Sequence, residues 1–293
     1  MKVSNLRRKT LSEILMANNV LKLVKEGKRL DGRGLMDYRD IKIECNVIKK
    51  AYGSAKVELG DTVVVVGVMF ELGTPFSDSP DKGILLTEGE VLPTASFSAE
   101  AGPPGEEEIE ISRVVDRGIR ESEMIDLSKL VIKPGETVLK LYLDFNIIND
   151  DGNIIDAANL AAVCALATGL MPDPSYIADH LDEVTPYNLS NIPRVPIPVQ
   201  DLPIANTIAS IGGKLIVDPT YVEEMVADMK ITVTHTKNNE ICAIQLVKGG
   251  LGFDEVFKVL DICLEKSIEL RKIALEVIKR EVGEREDLKA LGL

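Results

Sequence analysis

Three carboxylates crowd one corner of this sequence, in the order Asp150-Asp151-Gly152-Asn153-Ile154-Ile155-Asp156. A strand that feeds a helix through a tight glycine turn presents free backbone N–H donors, the usual shape of a phosphate site. Here no Lys or Arg occurs between Lys140 and Leu170. A phosphate dianion would meet like charge, so the corner has an anion-binding backbone and side chains that oppose an anion. A second group is cationic: Arg113, Arg117 and Arg120, at i, i+4 and i+7, share one face of a helical pattern. They can pair with Glu110, Asp116 and Glu121 on the same helix. A third group, Asp218, Glu223, Glu224 and Asp228, reads as solvated or structural rather than metal-binding.

The acidic corner is positioned by its flanks. Leu141, Leu143, Phe145 and Ile147 alternate as one face of a half-buried strand. Ala157, Leu160, Ala161, Cys164, Ala165 and Ala167 follow as a helix apolar on most sides, which belongs inside. Upstream, an amphipathic helix is expected over Ser4–Lys25, with Leu11, Ile14, Leu15, Leu21 and Val24 inward, within an N-terminal segment 1–28. Strands follow, with reversals at Gly53-Ser54 and Gly60-Asp61 and a central strand at Thr62–Val68. Ala101–Gly105 reads as a rigid turn before a helix over Glu106–Met124. The first domain spans 29–170. Seven prolines within 171–203 suggest a linker. A smaller domain at 204–283 repeats the logic, with hairpins at Gly212-Gly213 and Asn238-Asn239 and a helix over Phe253–Val282. The remaining 284–293 reads as a frayed, charged tail. The fold class is α+β, with two strand-then-helix units.

Composition narrows the function classes. The chain has 293 residues and a net charge of −13, whereas a freely acting nucleic-acid binder is usually basic, so any contact with RNA must come from a local patch. No apolar run approaches the ~20 residues of a membrane span. Four cysteines without a CxxC pair suggest free thiols in a reducing cytoplasm. His180 and His235 lie far apart, so neither a metal site nor a cofactor is expected.

Arg29-Leu30-Asp31-Gly32-Arg33, then Gly53 to Val63, Ile111-Ser112-Arg113, the corner at Asp150 to Leu170, and Val217-Asp218 to Asp228 together resemble the RNase PH family. The likeness runs from about residue 29 to 280. It implies a first domain like domain 2 of ribosomal protein S5, a smaller second domain, and six-domain rings that degrade RNA 3′→5′ by phosphorolysis. In archaea such rings alternate a catalytic subunit with an inactive relative, and this chain is more similar to the inactive one. Where catalytic members carry an Arg-Arg pair, it has Gly102-Pro103-Pro104-Gly105-Glu106-Glu107-Glu108. Where they carry a Gly-Ser/Thr-Arg phosphate grip, it has Gly152-Asn153-Ile154-Ile155.

The resemblance therefore implies a non-catalytic ring subunit of the archaeal exosome, with no catalytic or metal-binding residues of its own. Its partners would be a catalytic RNase PH-like subunit, in a heterohexamer of three heterodimers, RNA-binding cap subunits and single-stranded RNA. Arg113, Arg117 and Arg120 would contact the RNA, and Arg29, Asp31 and Arg33 would form a fold-specific turn and subunit contact. The alternative is a chain that is itself a phosphate-dependent 3′→5′ exoribonuclease.

Overall fold

The computed structural model describes residues 11–95, 105–185 and 188–283, with 285, 288 and 291 of the tail. Helix α1 (Leu11–Lys25) precedes strands β1 (Ile41–Cys45), β2 (Gly53–Leu59), β3 (Thr62–Gly73) and β4 (Ile84–Val91). Helix α2 (Glu106–Glu121), β5 (Val131–Lys133), β6 (Thr137–Asn149) and α3 (Ile154–Thr168) complete the first unit. A short β7 (Leu170–Pro172), α4 (Pro174–Asp179) and β8 (Arg194–Pro196) lead to the second. That unit contains β9 (Ile204–Ile211), β10 (Lys214–Val217), α5 (Tyr221–Val226), β11 (Met229–His235), β12 (Ile241–Lys248) and α6 (Phe253–Val282). The architecture is α+β.

The first sheet runs β1-β2-β3-β6-β4, with β5 paired to one end of β6; β4 lies parallel to β6 and the other pairs are antiparallel. The β-branched run at Thr62–Val68 is central, as its pattern predicts, with Val64, Val66 and Val68 buried. Leu141, Leu143, Phe145 and Ile147 of β6 are buried beside them. The second sheet runs β10-β9-β11-β12, all antiparallel.

Helix α3 lies between the two sheets, packed on β2 and β3 on one side and β9 on the other. All of its residues are buried, which its small, apolar composition permits. The approach is close. A Cβ on Gly53 would lie 2.4 Å from the Ala165 carbonyl oxygen. Gly53 therefore opens strand β2 against α3, and the reversal expected at Gly53-Ser54 does not occur there.

The 171–203 segment, expected as a linker between the units, is packed where it is described. Met171, Ile177, Leu189, Ile192, Ile197, Val199 and Leu202 are buried and join the main core. In the segment expected as a frayed tail, Leu288 and Leu291 are buried and pack into the same core. At the other end Val20 and Val24 of α1 are buried against Ala209 and Ile211 of β9. The expected helix start at Ser4–Thr10 and the turn at 101–104 lie outside the described residues, as do the side chains of Leu11, Ile14 and Leu15. Among the described residues no helix is long and apolar enough to cross a membrane.

Candidate nucleic-acid interface

The turn before α3 has the left-handed residues that its sequence requires, Gly152 at φ 81° and Asn153 at φ 54°. Its three aspartates do different work. Asp150 Oδ1 accepts from Gly152 N–H at 2.9 Å. Asp151 pairs with Arg39, 3.2 Å away. Asp156 turns inward and accepts from Thr207 Oγ1 at 2.7 Å, Tyr38 Oη at 2.8 Å and Asn153 Nδ2 at 2.9 Å. Burial pushes the Asp156 carboxyl up to about 6 against these hydrogen bonds.

What fills the anion-binding position is Glu224. Its Oε1 accepts from Asn153 N–H at 2.9 Å, and its Oε2 accepts from Lys230 Nζ at 2.9 Å. Only a void of about 40 Å³ remains beside them, bordered by Glu110, Ile155 and Thr207. The corner is thus not bare of cations, as its local sequence suggests. Arg39 donates to the Asp151 and Gly152 carbonyls, and Lys230 neutralises Glu224. Both come from distant segments.

The three arginines lie on α2, and the structure divides them. Arg113 and Arg117 are exposed and line a groove of about 380 Å³ with Ile109 and Gln245. Arg117 Nη1 donates to Gln245 Oε1 at 3.2 Å, and Gln245 Nε2 donates to Glu110 Oε1 at 3.0 Å, so β12 is tied to α2. Arg113 has no ion pair or hydrogen bond among the described residues. Arg120 is held by Asp116 at 2.8 Å and by the Leu85 carbonyl at 3.0 Å, at the far end of the helix. The pairing expected on the helix is therefore made by Arg120 alone of the three.

Residues 37–172 match the model of the 3′ exoribonuclease family, domain 1 (RNase PH), and residues 201–266 match that of its domain 2. The chain belongs to the RNase PH family. Among curated proteins it is 44% identical over 273 residues to the exosome complex component Rrp42 of Thermococcus onnurineus, covering 91% of this chain and 97% of that one. It is 46% identical over 272 residues to the same component of Methanosarcina acetivorans, covering 92% and 97%. A solved structure described as "archaeoglobus fulgidus exosome with RNA bound to the active site" superposes with a TM-score of 0.81 at 40% identity, covering 90% of this chain and 99% of that chain.

Within this RNase PH-family chain the Arg29–Arg33 turn is an internal clasp. Arg29 is buried; its Nε donates to Glu223 Oε1 at 2.9 Å, its Nη1 to the carbonyls of Val217 and Asp37, and its Nη2 to the Asp218 carbonyl and Glu223 Oε2, which uses all five N–H groups. A guanidinium spent in this way has no donors left for a neighbouring subunit, which corrects the expected contact for Arg29. Asp218 and Glu223 are structural, not solvated. Asp228 accepts from Gly212 N–H at 2.8 Å. The four cysteines are free thiols, and among the described residues no cluster of His, Cys, Asp and Glu is placed to hold a metal ion. The residues that sequence reasoning missed are Arg39, Lys230 and Gln245. Arg39 and Gln245 act on partners more than 100 positions away, and Lys230, though six positions from Glu224, reaches the corner from the second unit, so no spacing near residue 150 marks any of them.

Proposed function

We propose that this chain is a non-catalytic ring subunit of an archaeal RNA exosome. It assembles with a catalytic RNase PH-like subunit and supports 3′→5′ RNA degradation there. Phosphorolysis needs a held phosphate nucleophile and cations that neutralise the charge spreading over the transferred phosphoryl group. The observation that carries the reading is Glu224, whose carboxylate already takes the Asn153 N–H donor and the Lys230 ammonium. An anion of the chain's own stands where the nucleophile would have to bind. Arg113 and Arg117 remain exposed at the seam of α2 and β12, and we assign them to the RNA path beside the partner's active site. Arg120 is more tightly engaged within the chain, and its share of RNA contact is smaller. The assembly is a heterohexamer of three heterodimers that carries RNA-binding cap subunits, and the four free thiols suit a reducing cytoplasm.

The test is degradation of a 5′-labelled single-stranded RNA with magnesium and inorganic phosphate. The chain alone should release no nucleoside diphosphate, and with its catalytic partner it should support degradation. The Arg113→Glu, Arg117→Glu double variant should assemble and lose most of that support. Nucleoside diphosphates released by the chain alone would establish the rival reading, an active phosphorolytic enzyme.

A further inference from the structure

We propose that the cavity beside Phe76 binds one nucleotide of single-stranded RNA, its base against the Phe76 ring and its phosphate on Lys82. The proposal rests on the RNA-binding reading above and extends it to a second contact point. The cavity holds about 390 Å³, within the range of small-ligand sites, and lies where the C-terminal end of α2 meets the loop between β3 and β4.

Its floor is apolar. Ile84, Leu85, Ile119 and Ile125 line it and are themselves buried. Over that floor stands Phe76, 59% exposed. The loop carrying this ring is fixed at several points. Gly83 N–H donates to the Leu127 carbonyl at 2.8 Å, Gly135 N–H to the Pro80 carbonyl at 2.9 Å, and Ser79 N–H to the Phe76 carbonyl at 3.1 Å. A Cβ on Gly83 would lie 2.5 Å from Leu130 Cβ, so the root of the loop is packed tightly. An aromatic ring on an anchored loop keeps its face open without the ordering cost that a free loop would add on binding.

The charges around the cavity suit a nucleotide. Lys82 is exposed and has no ion pair among the described residues, so its ammonium is available for a phosphate. Arg120, in the wall, is already answered by the Asp116 carboxylate and the Leu85 carbonyl, so Lys82 is the cation left for the phosphate among the described lining residues. Two carboxylates also line the cavity. That of Asp126 accepts from Ser128 Oγ at 2.6 Å and lies 3.8 Å from Lys129, so it is already answered. That of Glu123 has no partner among the described residues and can accept from an exocyclic amine on a base. A lipid chain would fill the floor and leave Lys82 and Glu123 unanswered. A stacked base with its phosphate meets all three features. Arg113 and Arg120 are about 10 Å apart along the same helix, so one strand can touch both the groove at β12 and this cavity.

The experiment uses the complete ring with the catalytic partner and a fluorescent oligo(A) strand, read by anisotropy. Phe76→Ala and Lys82→Glu should each weaken binding by about tenfold, whereas Phe76→Tyr, which keeps the ring, should stay near the wild-type affinity. Binding within twofold of wild type for Phe76→Ala, while Arg113→Glu with Arg117→Glu still loses affinity, would overturn this site and leave the RNA reading intact. Unchanged binding in all of these variants would overturn both.

Discussion

Arg39 and Asp218, 179 positions apart in the chain, meet in a two-pronged ion pair, Nε to Oδ2 at 2.9 Å and Nη2 to Oδ1 at 2.7 Å. The Arg39 backbone N–H, Arg33 Nη1 and Asn153 Nδ2 donate to the same carboxylate. Burial works to raise the Asp218 carboxyl, but Arg39 and Asn153 overcome it and hold it below the usual carboxylate range. The pair fastens the end of β10 to the turn ahead of α3. Helix α5 begins just after it, and α5 carries Glu224 into the anion-binding corner.

Removing one member of such a buried pair leaves the others uncompensated. Asp218→Ala should cost about 3–5 kcal/mol, because Arg39 and Arg33 would keep their charge without its partner. Asp218→Leu combined with Arg39→Met should cost less than Asp218→Ala alone. Urea unfolding of the variants, at matched protein concentration, measures both.

Glu224→Ala should turn the corner into an anion site. It frees Asn153 N–H and the Lys230 ammonium together and opens space beside the existing void. Calorimetric titration with inorganic phosphate should give no heat of binding for the wild type and a weak, roughly millimolar site for the variant. A wild-type chain that binds phosphate as well as the variant does would remove Glu224 from the argument for an inactive corner. Glu224→Gln separates charge from shape, because the amide keeps the volume and loses the carboxylate. It should bind phosphate less well than the alanine variant.

The parts of the fold legible in sequence are those whose information is local. Helix α3 is buried on every side because most of its residues are small or apolar, and β6 is marked by strict alternation. The proline-rich crossing is legible as a connection but not as a packed one, because turn residues mask the apolar ones: Ile177, Ile192, Ile197 and Leu202 recur among the prolines and fill the core. The corner was half legible: its shape follows from Gly152-Asn153, but its charge balance is set by Arg39, Glu224 and Lys230, which nothing near residue 150 encodes. Gln245 likewise says nothing of its link to Arg117 until β12 is folded beside α2.

Arg113 and Arg117 predict a salt effect. If both meet RNA phosphates in the assembled ring, each releases counterions from the strand, and the slope of log affinity against log salt reflects the contacts made. The Arg113→Ala, Arg117→Ala double variant should lower that slope by about 1.4, near 0.7 per single-strand phosphate. The measurement is oligo(A) anisotropy over a range of potassium chloride concentrations. An unchanged slope would mean that the groove at β12 stays clear of the RNA backbone.

His235 gives a stability prediction with a definite sign. It ends β11, is buried, and leaves Nδ1 without a hydrogen-bond partner, while burial and the nearby Arg271 depress the imidazole to about 4. The folded state therefore keeps this ring neutral at pH values where the unfolded chain takes up a proton. Its contribution is fully present above the unfolded value near 6.5 and is lost as pH falls toward the folded value near 4, with about 2 kcal/mol gone by pH 5. Asp156 opposes this. Its raised carboxyl makes the folded state the stronger proton binder between the ordinary aspartate value and about 6, so its effect on stability improves on acidification. The test is the difference between wild type and His235→Leu, since Asp156 is common to both. The variant should gain on the wild type by about 2 kcal/mol between pH 7.5 and pH 5, measured by urea unfolding at each pH. A difference that does not change with pH would mean that the imidazole takes up its proton as readily in the folded chain as in the unfolded one.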